Sequence, residues 1–176
     1  MPTETATYLL NAHWQAAASY RLPTAQSDWL LETDSLTARL KSRCQHFRVQ
    51  LLHEQLYPLP AQLHQCLPAS GPAMLREVVL WCDEVAVIYA QSWLPQPTLQ
   101  TVAPLAQLGE QPLGEFIFRH PALVRQPLQL AQLDSRQLGL GDICPPAPLW
   151  ARRSVFQLAE QPLLVAEVFL PGVYPL

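Results

Sequence analysis

Two pairs of apolar segments, each joined by a short polar stretch, constrain this chain most, because each pair is typical of a β-hairpin. The four segments are rich in valine, isoleucine, leucine and aromatic residues: 74–82, 85–93, 152–158 and 163–170. Asp83 and Glu84 separate the first pair, and residues 159–162 separate the second. No regular alternation of strands and helices is evident. The pattern therefore predicts a single α+β domain, with an antiparallel β-sheet and helices packed on one side.

Segments outside the hairpins complete the predicted layout. Thr33, Asp34 and Ser35 offer N-caps for a helix that reaches about residue 44, and Pro112 stands where it would open a helix over 113–118. The other predicted elements are a short helical turn at 29–31 capped by residue 27 or 28, a helix at 98–108, extended segments at 47–57 and 123–133, and a proline-rich loop at 58–72. Residues 1–26 are predicted to form an N-terminal arm or short helix, and residues 27–176 the main domain.

The chain is apolar and poor in charge, which excludes several classes of protein. Of its 176 residues, 49% are hydrophobic and 14% are charged, and the formal net charge is -3. Disordered chains combine low hydrophobicity with high net charge, and a phosphate-binding face needs clustered basic residues. The basic residues between 39 and 48 fit the solvated side of a helix better. We therefore expect one folded domain that binds no nucleic acid.

The sequence offers no targeting signal and no redox motif. Its first twenty residues lack the basic and apolar regions of a secretory signal, and no run approaches the ~18 apolar residues that span a bilayer. We therefore expect a cytoplasmic protein without an integral membrane segment. Cys44, Cys66, Cys82 and Cys144 form no C-x-x-C motif, and their even number permits two disulfides. In the cytoplasm we expect reduced, partly buried thiols.

Strand alternation singles out two charged residues. Successive side chains of a strand point to opposite faces, and Arg76 is the only charge on its face of 74–82. Glu167 is likewise the only charge on its face of 163–170, whose opposite face is wholly apolar. A strand that is apolar on both faces is typical of the centre of a sheet. We therefore expect Glu167, and also Arg76, to be buried.

Buried charges need partners, because an unpaired one costs several kcal/mol. One interpretation is that Arg76 and Glu167 pair with other charges of the protein. A three-residue loop at 159–161 would place Arg153 opposite Glu167, and a one-residue change of register would place Ser154 there. The other interpretation is that both line a closed pocket, where Arg76 would bind a ligand carboxylate through its forked guanidinium. Glu167 would then act as acid or base.

Other common catalytic and metal-binding patterns are missing from the sequence. It contains no G-x-S-x-G, P-loop, G-x-G-x-x-G or H-E-x-x-H motif. The five histidines lie apart, with no pair at i,i+4 spacing, which is typical of surface or loop residues. We therefore predict neither a metal ion nor a cofactor.

Five short strings carry a resemblance to a known family. They are WLLETDSLTARL at 29–40, LREV at 75–78, QPLGEFIF at 111–118, WARRS at 150–154 and PLLVAEVFLP at 162–171. Their order and spacing resemble the chorismate pyruvate-lyases, also called 4-hydroxybenzoate synthases, over nearly the whole chain. The resemblance implies a single α+β domain on an antiparallel sheet. It also implies a cofactor-independent lyase that eliminates pyruvate from chorismate and leaves 4-hydroxybenzoate, in the first committed step of ubiquinone biosynthesis.

The resemblance also assigns candidate site residues. The carboxylate-binding arginine of the family falls on Arg76 and its buried glutamate on Glu167. Two further substrate contacts fall on Leu36 and Leu113. Leu36 stands where the family often has Met, which is a volume-conserving change. In a closed apolar pocket of this kind we expect tight binding of the product and product inhibition.

Three points remain open at the level of sequence. Where the family commonly carries an arginine, this chain has Gln91 or Ser92, so a second cationic contact from that segment is in doubt. Arg152 or Arg153 is a candidate for the second carboxylate of the substrate. The alternative function is a non-catalytic module of the same fold that binds or senses an aromatic acid. In either case we expect a monomer whose partners are small molecules.

Overall fold

An antiparallel β-sheet of eight strands runs through the protein, and the computed structural model describes residues 1–176 in full. The strands are β1 Gln15–Ala16, β2 Phe47–Pro58, β3 Pro72–Cys82, β4 Val85–Pro95, β5 Val124–Arg125, β6 Gln129–Asp134, β7 Pro148–Leu158 and β8 Gln161–Phe169. Across the sheet they follow the order β1-β6-β7-β8-β4-β3-β2, and β5 also pairs with β7. The predicted α+β class is confirmed.

Both predicted hairpins are present, and each turns in two residues. Asp83 and Glu84 join β3 to β4 with φ angles of 48° and 64°, and Ala159 and Glu160 join β7 to β8 with the same values. Positive φ at both central positions is the geometry that matches the twist of the flanking strands. The three-residue loop considered for the second hairpin is not formed, because Leu158 pairs directly with Gln161.

The second turn places alanine and glutamate where asparagine and glycine are preferred. A side chain with a Cβ pays about 1–2 kcal/mol in the left-handed region. The double variant Ala159→Asn/Glu160→Gly is therefore expected to raise the free energy of unfolding by about 1 kcal/mol, and with it the melting temperature by about 2–4 °C. Thermal unfolding followed by circular dichroism measures this shift. Glu160→Gln, which removes only the charge, is the control. An unchanged melting temperature in the double variant would show that the left-handed conformation of Ala159 and Glu160 does not destabilise the protein.

The helices are short and lie mostly on one face of the sheet. They are α1 Glu4–Leu10, α2 Thr24–Leu30, α3 Leu36–Lys41, α4 Gln96–Thr101 and α5 Leu113–Phe118. Apolar side chains of α2–α5 pack on the face that carries Arg76, which we call the front face. The back face is covered by α1 together with loop residues near 63–67 and 138–144. No helix is long and apolar enough to cross a bilayer.

Prolines and caps explain where the elements differ from expectation. The predicted helix at 98–108 is divided into α4 and a 3-10 turn at Ala103–Gln107, and the strand predicted at 123–133 is divided into β5 and β6. Pro104 and Pro127 stand at these breaks, since proline has no N–H for a helix or ladder bond. The expected cap of α3 is confirmed, because the Ser35 hydroxyl accepts from the Ala38 N–H at 3.2 Å. Helix α2 starts after Pro23, earlier than predicted.

One cysteine pair differs from expectation. Cys44 and Cys82 form a disulfide, with Cα atoms 5.5 Å apart, which is a usual separation for this bond. The expectation of four reduced thiols is therefore wrong for these two, whereas Cys66 and Cys144 are free. Sequence alone could not show the pairing, since the two cysteines are 38 positions apart and meet only because α3 packs on the end of β3. Burial raises the pKa of both free thiols.

Candidate functional site

Two parallel rows of side chains cross the front face of the sheet and form the floor of a cavity. The register aligns Arg76 with Ser92, Ser92 with Val165 and Val165 with Ser154, so the first row runs over β3, β4, β8 and β7. The second row consists of residues aligned in the same way on the same four strands: Val78, Ala90, Glu167 and Arg152. Arginines thus stand at opposite ends of a floor whose centre carries three small or apolar side chains together with the carboxylate of Glu167.

Helices α3 and α5 close the cavity from above. Leu36 and Thr37 of α3, and Leu113 and Gly114 of α5, line it together with the two floor rows. The helices approach closely at Gly114, where an added Cβ would lie 2.9 Å from the Thr37 hydroxyl oxygen. The space is small, about 50 Å³, so a ligand larger than a few waters requires the two helices to separate.

Arg76 is buried, as predicted, with 2% of its surface exposed. Its Nη1 donates to Glu54 Oε2 at 3.2 Å and to the Gly109 carbonyl at 2.7 Å, and its Nη2 donates to the Gln111 carbonyl at 2.9 Å. Burial lowers the pKa of the guanidinium, and Glu54 opposes part of that effect. The arginine therefore fixes the loop that leads into α5 while it lines the cavity.

Glu167 pairs with a residue that neither predicted register had placed opposite it. The two-residue turn aligns Arg152 with Glu167, instead of Arg153 or Ser154, and the Arg152 Nε donates to Glu167 Oε2 at 2.5 Å. The Arg152 side chain is 2% exposed, whereas that of Glu167 is 17% exposed and thus less buried than predicted. Arg152 Nη1 also donates to the carbonyls of Leu30 and Glu32 at 3.2 and 2.8 Å. It thereby ties the end of α2 to the floor.

Both interpretations of the two buried charges thus hold at once. Arg76 and Glu167 each have a protein partner of opposite charge. Both nevertheless line the same cavity, together with Leu36 and Leu113. The four residues selected from the sequence span 131 positions, from Leu36 to Glu167, and the fold brings all four to the same cavity. A ligand in the cavity can therefore contact Arg76 from one ion pair and both members of the other.

The directions of their side chains show which of Gln91 and Ser92 faces the cavity. Ser92 lines the cavity beside Arg76, whereas Gln91 points to the back face, where its Oε1 accepts from the Trp93 indole N–H at 3.1 Å. No cation from β4 therefore enters the site. Arg153 likewise belongs to the back face, where its guanidinium lies over the Trp14 ring.

Sequence reasoning missed one cation of the site. Arg125 of β5 lines the cavity, and its Nε donates to the Ser154 hydroxyl at 3.0 Å. Its guanidinium lies 5.2 Å from the centre of the Phe156 ring. A lone arginine in a short segment rich in leucine, valine and proline was the only available signal, and it does not distinguish a site residue from a surface one.

Comparison with known proteins identifies the family of this chain. The family model described as "Chorismate lyase" matches residues 8–175. The chain belongs to the chorismate lyase family. A relative from Pseudoalteromonas translucida, named "Probable chorismate pyruvate-lyase", is 43% identical over 94% of this chain and 95% of its own length. A "Chorismate pyruvate-lyase" from Erwinia tasmaniensis is 37% identical over 97% of this chain and 92% of its own.

Solved structures share the fold at much lower identity. The effector domain of PhnF from Mycobacterium smegmatis superposes with a TM-score of 0.61 at 18% identity, over 80% of this chain and 91% of that domain. The C-terminal domain of histidine utilization repressor from Pseudomonas syringae gives a TM-score of 0.58 at 8% identity, over 72% of this chain and 93% of that one. The lyase family and these effector domains therefore have the same architecture. At such identities the likeness concerns the fold alone.

Proposed function

We propose that this protein is a chorismate pyruvate-lyase, which converts chorismate to 4-hydroxybenzoate and pyruvate. The observation that supports it most is the cavity itself, where Arg76, Glu167, Leu36 and Leu113 meet in a chain of the chorismate lyase family. Chorismate carries one carboxylate on its ring and another on the enolpyruvyl group, so a buried site for it needs cations. The apolar walls suit the ring that becomes aromatic.

Arg76 is proposed to hold the ring carboxylate. A guanidinium that is fixed by two carbonyls and one carboxylate loses little freedom on binding. Its Nε–H has no acceptor in the protein and remains available to a ligand. The ring would then lie over Ser92 and Ala90, the small side chains at the centre of the floor, with Leu36 and Leu113 above it.

Glu167 is proposed to act at the other side of the ring. The reaction breaks the ether C–O bond and removes the hydrogen from the ring carbon that carries the hydroxyl group. The departing enolpyruvate becomes pyruvate as it gains a proton. Aromatisation drives the reaction, so positioning and charge stabilisation are what the protein must supply. Glu167, held by Arg152, can orient the ring hydroxyl or transfer a proton as acid or base.

Because helices α3 and α5 close the cavity from above, we predict slow release of the aromatic product. Because α3 and α5 approach closely at Thr37 and Gly114, we expect 4-hydroxybenzoate to leave as these helices separate, and such motions often limit turnover. We expect stopped-flow mixing with chorismate to show a burst of about one product per site, followed by a slower steady state. Added 4-hydroxybenzoate should inhibit that steady state. Progress curves without a burst, together with rapid release of pre-bound product, would exclude this limit.

The decisive experiment is incubation of the pure protein with chorismate. Pyruvate is followed by a coupled lactate dehydrogenase assay, and 4-hydroxybenzoate by chromatography. The proposal expects the two products in equal amounts, without any added metal or cofactor. A protein that binds chorismate or 4-hydroxybenzoate but forms neither product would instead be an aromatic-acid carrier or sensor. The PhnF effector domain shares the fold, so the fold by itself does not distinguish this alternative from a lyase.

The cellular setting is proposed from the same chemistry. A lyase that forms 4-hydroxybenzoate would supply the first aromatic intermediate of ubiquinone biosynthesis. Chorismate is a dianion that does not cross a bilayer unaided, so we place the protein in the cytoplasm. We also propose that the active protein is a monomer.

A further inference from the structure

Three arginines line the cavity, but only two of them are neutralised by the protein. Arg76 lies 3.2 Å from a carboxylate oxygen of Glu54, and Arg152 lies 2.5 Å from one of Glu167. Arg125 has no carboxylate oxygen within 4.0 Å. The site therefore holds one positive charge more than its two ion pairs account for.

The contacts of Arg125 are all with neutral acceptors. Nε donates to the Ser154 hydroxyl at 3.0 Å, and Nη1 donates to the carbonyls of Glu32 and Thr33 at 3.1 and 3.4 Å. Nη2 has no acceptor in the protein. Burial, followed by repulsion from Arg152, lowers the pKa of Arg125 to about 10, and the more distant carboxylates of Glu167 and Glu32 oppose part of that effect, so the group is still charged near neutral pH. A partly buried cation without a counter-ion is costly unless an anion binds beside it.

The position of Arg125 complements that of Arg76. Arg76 begins the first floor row on β3, and Ser154, to which Arg125 is bonded, ends it on β7. Three strand spacings separate the two backbone positions, about 14 Å. Both arginine side chains line the cavity. Between them lie only Ser92 and Val165, so a ring can rest there with an anionic group at each side.

Resting on the proposed function, we infer that Arg125 binds the enolpyruvyl carboxylate of chorismate while Arg76 holds the ring carboxylate. Arg152 is the less suitable candidate for this contact, because the carboxylate of Glu167 already neutralises its charge, whereas Arg125 donates only to neutral acceptors. The assignment has a distinctive consequence. The enolpyruvyl carboxylate departs with pyruvate, so Arg125 contacts the substrate but not 4-hydroxybenzoate.

Comparison of substrate and product in one variant tests the assignment. In Arg125→Gln we expect kcat/KM for chorismate to fall about 30- to 100-fold, the range for loss of a charge-assisted hydrogen bond. The dissociation constant of 4-hydroxybenzoate, measured by quenching of tryptophan fluorescence, should change less than about threefold. Arg125→Lys keeps the charge but not the forked guanidinium, and its kcat/KM should lie between those of wild type and Arg125→Gln. Arg136→Gln removes an exposed arginine, 73% exposed, and serves as the control for net charge.

Each outcome decides the matter. Equal weakening of chorismate and 4-hydroxybenzoate in Arg125→Gln would overturn the assignment, because it would indicate a general loss of site structure. Unchanged kcat/KM would overturn it as well. If Arg125→Gln does not fold, the same ratio measured in Arg125→Lys decides. If the wild-type protein does not convert chorismate, the proposed function fails, but calorimetric titration of chorismate into wild type and variant still tests the contact.

Discussion

Replacement of Arg76 by alanine is expected to lower kcat/KM for chorismate by about 10³-fold, because the variant loses the cation that fixes the ring carboxylate. In contrast to Arg125→Gln, the Arg76→Ala substitution should also weaken the binding of 4-hydroxybenzoate by about 10- to 100-fold, because the product keeps the ring carboxylate. Steady-state assays and fluorescence titration measure both effects. A variant with nearly wild-type kcat/KM would remove Arg76 from the site.

The Arg76 substitution also tests how the segment that leads into helix α5 is held over the cavity. Arg76 donates to the carbonyls of Gly109 and Gln111 just before α5, and both acceptors lose this donor in Arg76→Ala. The melting temperature should therefore fall as well. Arg48→Ala, on the neighbouring strand β2 with 47% of its side chain exposed, is the matched control and should leave activity intact. Arg76→Lys separates charge from geometry, because it restores the cation but not the three directed bonds.

Glu167→Gln is expected to lower kcat at least about 100-fold, the usual range for loss of a group that transfers a proton. The dissociation constant of 4-hydroxybenzoate should change much less, because glutamine retains the size and a hydrogen-bonding oxygen. Single-turnover measurements over a range of pH distinguish the two roles considered for Glu167. If Glu167 transfers a proton, the rate of the wild-type protein depends on its ionisation, and this pH dependence is absent from Glu167→Gln. If Glu167 only orients the substrate, the substitution lowers the rate about tenfold and leaves its pH dependence unchanged.

The same substitution affects stability through Arg152. Loss of the carboxylate leaves a guanidinium that is 2% exposed without its anionic partner, which should lower the free energy of unfolding by about 1–3 kcal/mol. Glu160→Gln, on the exposed turn of the same hairpin, is the control for removal of one negative charge. An unaltered unfolding transition in Glu167→Gln would mean that Arg152 is held by its backbone acceptors alone.

Strand alternation found Arg76 and Glu167 because both lie in long, regular strands inside the sheet. It could not find Glu54, the partner of Arg76. A bulge between Leu51 and His53 shifts the register of β2, so Val49, which lines the cavity, and Glu54, which pairs with Arg76, share one face although simple alternation would place them on opposite faces. One inserted residue changes the face of every later side chain, and nothing in the local sequence marks the position of this bulge.

The other errors have the same physical origin. The turn at Ala159 and Glu160 lacks the asparagine and glycine that announce a two-residue hairpin, so Arg152 could not be assigned to Glu167 beforehand. Arg125 is held by acceptors from distant parts of the chain, among them Ser154 and the carbonyl of Glu32. Short-range patterns predict elements and faces, whereas the partners of a side chain depend on contacts that only the folded chain provides.

The small side chains at the centre of the floor have a consequence for the breadth of ligands. Ala90 and Ser92 lie two residues apart on β4 and both face the cavity, in the interior of the two rows that contain Arg152 and Arg76. The arginines dictate where anionic groups are placed, while these two positions govern how thick and how substituted a ring can be. Protein engineers who wish to admit substituted benzoates, or to exclude the present ones, should therefore begin with Ala90 and Ser92 rather than with the charged residues.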